Sequence, residues 1–173
     1  MSAIYEKFAQ RLMAPATSPA SAVAGPPGVA VDMSVDVIHA VFVNVTGTGT
    51  TYTFSQTHEF FSEVTPGAMT GNTTTSPTFN GTGAGACPLL VSPTTDTPQP
   101  GVFDAIDTVF SGPPDQGAND PFGEALILYK QGTAANNSPL IAYIDGFSNV
   151  DFNGGQVTVV WDSGANRIFK LVA

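Results

Sequence analysis

The chain has 173 residues, of which 42% are hydrophobic and only 11% are charged, so it can bury a core as one domain, or as one domain with an arm. Its net charge of −9 disfavours nucleic acid as a direct partner, because phosphates would be repelled. No apolar run approaches the roughly 18 residues that a membrane-spanning helix needs, and the start lacks the apolar stretch of a signal peptide. We therefore expect neither nucleic-acid binding, nor membrane insertion, nor secretion.

Residues 1–35 are predicted to form a short helix followed by an extended arm. Apolar side chains recur at helical spacing within residues 3–13, and a helix this short is marginal unless it docks on its own sheet or on a partner. Residues 14–30 are rich in proline and alanine, as in a linker that either lashes neighbouring subunits together or crosses its own domain. Deleting residues 1–30 is expected to leave the rest folded and to abolish attachment to a partner. The candidate partner-binding residues are Ile4, Tyr5, Phe8, Leu12, Pro26 and Pro27.

Residues 36–173 are predicted to form a β domain, which begins with a strong strand at Asp36–Val45. Apolar side chains on both faces of this strand indicate a central position. His39 among them is expected to be a hydrogen-bonded core residue rather than a metal ligand. A short strand at Thr51–Phe54 and a brief helix at His58–Val64 are predicted to follow.

Two long loops rich in Thr, Pro and Gly interrupt this domain at residues 65–101 and 111–121. Within the first, residues 73–79 and 89–91 are candidate edge strands. Between the loops, residues 102–110 are predicted to form one continuous strand. Its alternation assigns Phe103, Ala105 and Val109 to one face, and Ile106 and Phe110 to the other.

The C-terminal part of the chain holds four predicted strands. Ala125–Lys130 and Leu140–Ile144 are apolar on both faces, which indicates strands covered on both sides. Gln156–Trp161 alternates, and the turn residues at 163–166 are expected to fold Arg167–Val172 back on it as an antiparallel hairpin. The alternation directs Val157, Val159 and Trp161 toward the core, and Thr158 and Val160 away from it.

Roughly six to eight short strands separated by turn signals predict an all-β fold. The expected architecture is an antiparallel β-sandwich or a jelly-roll-like barrel, with a short N-terminal helix and an extended arm. A Thr-rich, weakly charged surface suits repeated contacts in an assembly, because such side chains pack with little desolvation cost. An ordinary Thr-rich β domain would have the same composition.

No catalytic, cofactor-binding or metal-binding residues are predicted. His39 and His58 lie 19 positions apart without a metal-binding spacing, and the single cysteine, Cys87, has no base near it in sequence. Residues 151–154 carry two of the oxygen ligands of a calcium loop but lack the others. Because no nucleophile motif occurs either, we expect that the protein is not an enzyme.

Three stretches resemble a family of small virion structural proteins of tailed bacteriophages. They are ALILYKQGTAANNSPLIAYIDGF, NGGQVTVVWDSGANRIFKL and, upstream, GVFDAIDTVF. The family shares an ending of the form LIAYID…NGGxxTVxWDxGANxIFKL, and its short N-terminal helix corresponds to IYEKFAQRLM. The match is close over residues 102–173 and loose elsewhere, with residues 14–36 and 65–100 departing as insertions. The resemblance implies a structural component of a phage particle and brings no catalytic motif.

The resemblance and the acidic composition together predict a capsid decoration, or cement, protein on the exterior of the virion. Its expected partners are the major capsid protein and copies of itself, and it would be made in the host cytoplasm. Two alternatives stay open: a tail or neck adaptor or fibre-associated protein, and a β-sandwich that binds host glycans. Trp161 is the only tryptophan that such a glycan site could use, and its strand pattern predicts the core.

Overall fold

The computed structural model describes residues 3–13, 31, 36–47, 49–64, 68–70, 94–95, 102–110, 122–152, 155–161 and 169–170. The fold is mostly β, with antiparallel strand pairs and one short α-helix, and the described strands form separate sheets rather than a closed barrel. Two short 3-10 turns lie at Phe61–Glu63 and Ala135–Asn137. The other elements are β1 (Ala3–Ile4), α1 (Glu6–Met13), β2 (Ile38–Val43), β3 (Met69–Thr70), β4 (Thr94–Thr95), β5 (Val102–Asp104), β6 (Thr108–Phe110), β7 (Ala125–Lys130), β8 (Leu140–Ile144), β9 (Val157–Val159) and β10 (Phe169–Lys170).

A five-stranded antiparallel sheet with the order β1-β8-β7-β2-β3 forms the centre of the fold. β2 and β7 pair along their whole length, from Ile38 opposite Lys130 to Val43 opposite Ala125. Every residue of β2 and all but the last residue of β7 are buried, as expected for strands that are apolar on both faces. The predicted strands β2, β7 and β8 are confirmed, and β7 and β8 have the predicted bounds. β2 is two residues shorter at each end than the predicted Asp36–Val45.

One face of this sheet is covered by a cluster of phenylalanine rings. Phe42 in β2 lies 4.6 Å from the ring of Phe110, 6.0 Å from Phe147 and 5.6 Å from Phe152, measured between centroids. Gly123 permits this close packing, because a Cβ there would lie 2.9 Å from the Phe42 ring. The cluster therefore joins the sheet to β6 and to the chain that follows β8.

The opposite face is covered by the segment between β2 and β3. The Tyr143 ring stacks on Phe54 at 4.5 Å, and the Tyr129 ring packs on Phe61 at 4.2 Å. These tyrosines alternate along β7 and β8 with the residues that face the phenylalanine cluster. Both faces of the sheet are thus buried by other parts of the chain.

His39 is a core residue of this second face, as predicted. Its side chain is buried, its ring stacks on Tyr129 at 5.5 Å, and its Nε2 is hydrogen-bonded to Gln131 Oε1 at 2.8 Å. A buried imidazole that is hydrogen-bonded in this way contributes to the stability of the fold.

The pairing of the last strands differs from the prediction. β9 pairs with β6 in a two-stranded ribbon, while β10 pairs with β5, with Phe169 opposite Phe103. The hairpin predicted between β9 and the last strand is therefore wrong for the described residues. Both strands instead run antiparallel to the segment that contains β5 and β6. Val159 pairs with Thr108, and Phe169 pairs with Phe103. From the first pair to the second, the C-terminal segment advances ten positions, whereas its partner segment advances only five. The C-terminal segment therefore has five more residues than its partner between the two pairings.

The strand predicted between the two long loops is divided by a bend at Ala105–Asp107. Phe103 and Phe110 are both buried, whereas Ile106 and Val109 are exposed. The predicted division into two faces is therefore wrong, because strict alternation does not continue through a bend.

Two further predictions for the middle of the chain are wrong. Residues 51–54 form no strand, since they pack aromatic side chains on the sheet rather than pairing with an edge. The helix predicted at residues 58–64 is reduced to the 3-10 turn at Phe61–Glu63. The candidate edge strands at residues 73–79 and 89–91 lie outside the described residues.

Candidate functional site

The N-terminal segment, which we define as residues 3–13, docks on the outer edge of the five-stranded sheet. β1 pairs with β8, with Ile4 opposite Ala142. The pairing continues beyond β1, where Tyr5 N donates to Ile141 O at 3.2 Å. Ile4 therefore belongs to a strand, and the predicted helix begins only at residue 6, because the edge of β8 offers these first residues hydrogen-bond partners.

Tyr5 and Phe8 fill the space beneath the segment, and both side chains are fully buried. The Tyr5 ring packs on Phe54 at 5.4 Å, and its hydroxyl is hydrogen-bonded to Tyr52 OH at 2.9 Å. Tyr52 OH in turn lies 2.8 Å from His58 Nδ1. Burial raises the pKa of Tyr5 above its ordinary value and raises the pKa of Tyr52 to about 12. Both hydroxyls thus stay protonated at neutral pH and hold the segment through a buried polar chain.

The predicted partner-binding residues are not all on the surface. Tyr5 and Phe8 lie in the core of their own chain, and Ile4 is half-buried in β1. Of the two alternatives for the short helix, the structure has the one in which it docks on its own sheet. Truncation of residues 1–30 would remove two buried aromatic side chains, so we no longer expect the remainder to fold unchanged. The other three predicted residues are Leu12, Pro26 and Pro27, and their side chains are not among those that the structure describes.

The outer face of the β6–β9 ribbon exposes neighbouring apolar side chains. Val109 lies opposite Thr158, and Val160 follows Thr158 on the same side of the backbone. The exposed fraction is 39% for Val109, 72% for Val160 and 58% for Ile106, which lies in the bend before β6. We call Ile106, Val109, Thr158 and Val160 the ribbon face. The alternation of the sequence had directed Val160 outward, but it missed Ile106 and Val109 because the bend was not foreseen.

An apolar cleft of about 400 Å³ lies between the chain at residues 157–161 and the five-stranded sheet. Its lining includes Phe42, Ile144, Val157 and Trp161. Trp161 Nε1 donates to Thr108 Oγ1 at 2.9 Å, so the indole N–H is satisfied inside the protein. Trp161 packs against the core side as predicted, although it stays partly exposed at the cleft.

The Glu124 carboxylate lies in a cradle of backbone N–H groups. It accepts hydrogen bonds from Val45 N at 2.7 Å, from Gly47 N at 3.1 Å, and from both the N–H and the hydroxyl of Thr46. Partial burial opposes ionisation, but these hydrogen bonds outweigh it and hold the pKa of Glu124 below its ordinary value. The cradle ties the end of β2 to the start of β7. Sequence reasoning missed it because the partners lie 77–79 positions apart.

In the part of the chain that the structure describes, no group of three or more His, Cys, Asp or Glu side chains is arranged to hold a metal ion. Nor does any helix within the described ranges have the length and apolar character needed to cross a membrane. Among the residues that the structure describes, the ribbon face, the apolar cleft and the edge that holds the N-terminal segment are features that could contact another molecule. No protein-family model, curated protein or solved structure matches this chain.

Proposed function

We propose that the chain is a non-enzymatic structural protein of a tailed-phage particle. Its role would be that of a capsid decoration protein, which binds the outer surface of the major capsid protein lattice and stabilises it. The observation that carries this proposal is the ribbon face, where Val109 and Val160 are exposed on the ribbon and Ile106 is exposed in the adjoining bend. Exposed apolar side chains that form a contiguous patch often mark a contact surface for another protein, and this supports the proposal.

The charge distribution supports a position outside the shell. The net charge is −9, and no Lys or Arg occurs between Leu12 and Tyr129. Such a chain would be repelled by packaged DNA, whereas apolar contact with a capsid protein is unaffected by that repulsion. The resemblance of residues 102–173 to phage virion proteins agrees with this location.

We also propose that the fold is a β-sandwich. The β6–β9 ribbon and the β10-β5-β4 sheet would form a second layer over the Phe42 side of the five-stranded sheet, and the ring contacts of Phe42 with Phe110 support this arrangement. A jelly-roll-like barrel is the alternative. A barrel requires hydrogen bonds between the edge strands of the two layers, and nuclear Overhauser effects between those edges would favour it over the sandwich.

Copy number is the first test of the proposed function. Quantitative mass spectrometry of purified particles would give the ratio of this chain to the major capsid protein. A ratio on the order of one third to one supports a shell position, because a lattice offers a site on every subunit or every few subunits. A ratio about a hundredfold lower would move the chain to a small tail or neck ring. Absence from particles would overturn both assignments.

The ribbon face is tested by adding purified protein to particles that lack it. Val160→Lys should weaken binding by at least about tenfold, because an unpaired charge would be buried in the contact. The matched control is Val37→Lys, which introduces the same charge at a valine that is 45% exposed just before β2. The control should bind like the unmodified protein, and equal binding by the two variants would exclude the ribbon face as the capsid contact.

A glycan-binding role has less support. The ribbon face carries valine and isoleucine rather than aromatic rings, and the Trp161 indole N–H already donates to Thr108. Sugars are commonly held by exposed aromatic faces together with free polar groups. Specific binding of the isolated protein to a glycan array would nevertheless overturn the decoration proposal.

A further inference from the structure

The site that holds the N-terminal segment is built from residues far away in the sequence. It comprises the edge of β8 at Ile141 and Ala142 and the side chains of Tyr52 and Phe54, and we call it the acceptor site. The contacts between Tyr5 and this site all span 47 or more positions of the chain. None of them depends on which copy of the chain supplies the segment.

The segment is too small to keep its structure when it is not docked. It consists of a two-residue strand and an eight-residue helix, and isolated helices shorter than about 12–15 residues are marginal in water. Undocking would expose Tyr5 and Phe8 and would open the edge of β8, both of which are unfavourable. The acceptor site is therefore stable only when it is filled, either by its own segment or by an identical one.

The covalent link to the segment is long. Residues 14–30 join it to Val31, which packs against the core of its own chain. At no more than about 3.3–3.6 Å per residue, this stretch can span up to about 60 Å. A compact chain of this length has an expected radius of gyration of about 16 Å. The link is therefore long enough for the segment to reach the acceptor site of an adjoining copy.

We propose that adjoining copies of the chain exchange their N-terminal segments, so that Tyr5 and Phe8 of each copy fill the acceptor site of the other. Exchange keeps every contact of the docked segment, and the choice between the two states then depends on concentration. A segment on a linker of this kind has an effective concentration of about 1 mM at its own site, which neighbouring copies in an assembly can match. The inference rests on the proposed function only for its location on a capsid, since exchange is a property of the isolated chain.

The pairing of β1 with β8 offers a direct test. The hydrogen bond from Tyr5 to Ile141 makes the adjacent pair, Ile4 and Ala142, a non-hydrogen-bonded pair. Such pairs have Cα atoms about 4.5 Å apart, within the range that a disulfide spans. The variant to use is Ile4→Cys with Ala142→Cys, in a full-length chain that also carries Cys87→Ser to remove the native thiol.

The protein is unfolded and refolded under reducing conditions at about 10 μM and at about 1 mM, concentrations that bracket the expected crossover, and is then oxidised. Non-reducing electrophoresis with peptide mapping distinguishes a disulfide within one chain from one between chains. We expect mostly intrachain disulfide at the low concentration and at least about a fivefold larger interchain fraction at the high one. Each single cysteine variant in the Cys87→Ser background is the control, and neither should form the mapped 4–142 bond. Intrachain disulfide alone at both concentrations would overturn the proposal.

A second measurement applies if the double variant forms no disulfide. The unmodified protein, refolded at about 1 mM and then diluted, should retain a dimer by size-exclusion chromatography with light scattering, because separation requires both segments to undock. The same sample refolded at low concentration should be monomeric. A monomer under both conditions would overturn exchange.

Copy number and disulfide mapping on purified particles distinguish segment exchange from the proposed decoration role. Interchain disulfide in solution together with absence of the chain from particles would overturn the decoration role and leave exchange supported. A high copy number on particles with only intrachain disulfide, both there and in solution, would overturn exchange alone.

Discussion

The five-stranded sheet and the β6–β9 ribbon are made of similar apolar residues but place them in different surroundings. In the sheet, β2 is buried along its whole length, because rings from other segments cover both faces. In the ribbon, Thr108 and Phe110 are buried while Val109 between them is exposed. Among the described residues, Phe110 packs against Phe42 of the sheet, whereas Val109 on the other side of β6 is exposed. Apolar side chains therefore stabilise the fold in the sheet, whereas on the ribbon face they are exposed to solvent.

The largest expected effect is at the junction of the two regions. Phe42→Ala should lower the free energy of unfolding by about 3–5 kcal/mol, because it removes the ring contacts with Phe110, Phe147 and Phe152 and leaves a cavity beside the cleft. Urea titration measures the change. Phe122→Ala is the matched control, since Phe122 is 41% exposed and should lose less than about 1 kcal/mol. Equal losses of unfolding free energy in Phe42→Ala and Phe122→Ala would contradict the conclusion that the sheet is the main source of stability.

The second-largest effect is expected where the N-terminal segment docks on the sheet. Phe8→Ala should cost about 2–4 kcal/mol, because the side chain is fully buried, but the loss cannot exceed the free energy with which the segment docks. Thermal and urea unfolding should each show one shifted transition. Gln10→Ala on the same helix should change stability by less than about 0.5 kcal/mol. A loss near zero for Phe8→Ala would mean that the segment is free to bind another molecule.

On the ribbon, Trp161→Ala should cost about 2–3 kcal/mol, less than emptying a fully buried site, because the ring is only partly buried at the cleft. The change also leaves Thr108 Oγ1 without the indole donor. Val160→Ser, one residue earlier and on the exposed side, should be neutral within about 0.5 kcal/mol. Denaturant titration of the two variants compares the buried and exposed sides of the chain just after β9. A larger loss for Val160→Ser than for Trp161→Ala would contradict the assignment of Trp161 to the core side.

The smallest effect concerns the cradle that joins β2 to β7. Glu124→Gln should cost about 1–2 kcal/mol at neutral pH, a value reduced from that of buried charged hydrogen bonds because the loop is partly exposed. The pKa of Glu124 is lowered in the folded state, so its contribution is fully present above the ordinary value of 4.5 and is lost as the pH falls through the folded pKa. The unmodified protein and the variant should therefore converge in stability at acid pH.

The control for the cradle is Glu6→Gln on the exposed surface of α1, which should change the free energy of unfolding at neutral pH by less than about 0.5 kcal/mol. A constant difference between Glu124→Gln and the unmodified protein from neutral to acid pH would show that packing, rather than the carboxylate charge, accounts for the loss.

Part of the candidate site followed from local pattern and part did not. The alternation predicted for Gln156–Trp161 correctly separated Trp161 from Val160, although β9 itself ends at Val159. The same rule failed between β5 and β6, where the bend at Ala105–Asp107 brings Phe103 and Phe110 to the interior together. A bend of this kind depends on which strands pair on either side of it, and the sequence carries no local signal for that.

By itself, the sequence determined the central strands β2, β7 and β8 and the acidic, weakly charged character of the chain. Dense apolar and β-branched runs of this length are stable only as buried strands, wherever they pair. Only the tertiary structure decided that β10 pairs with β5, that Ala3 and Ile4 join the edge of β8, and that Glu124 fills the cradle at residues 45–47. These contacts join residues that are distant along the chain, so their free energy depends on the geometry of the assembled sheet and not on any local pattern.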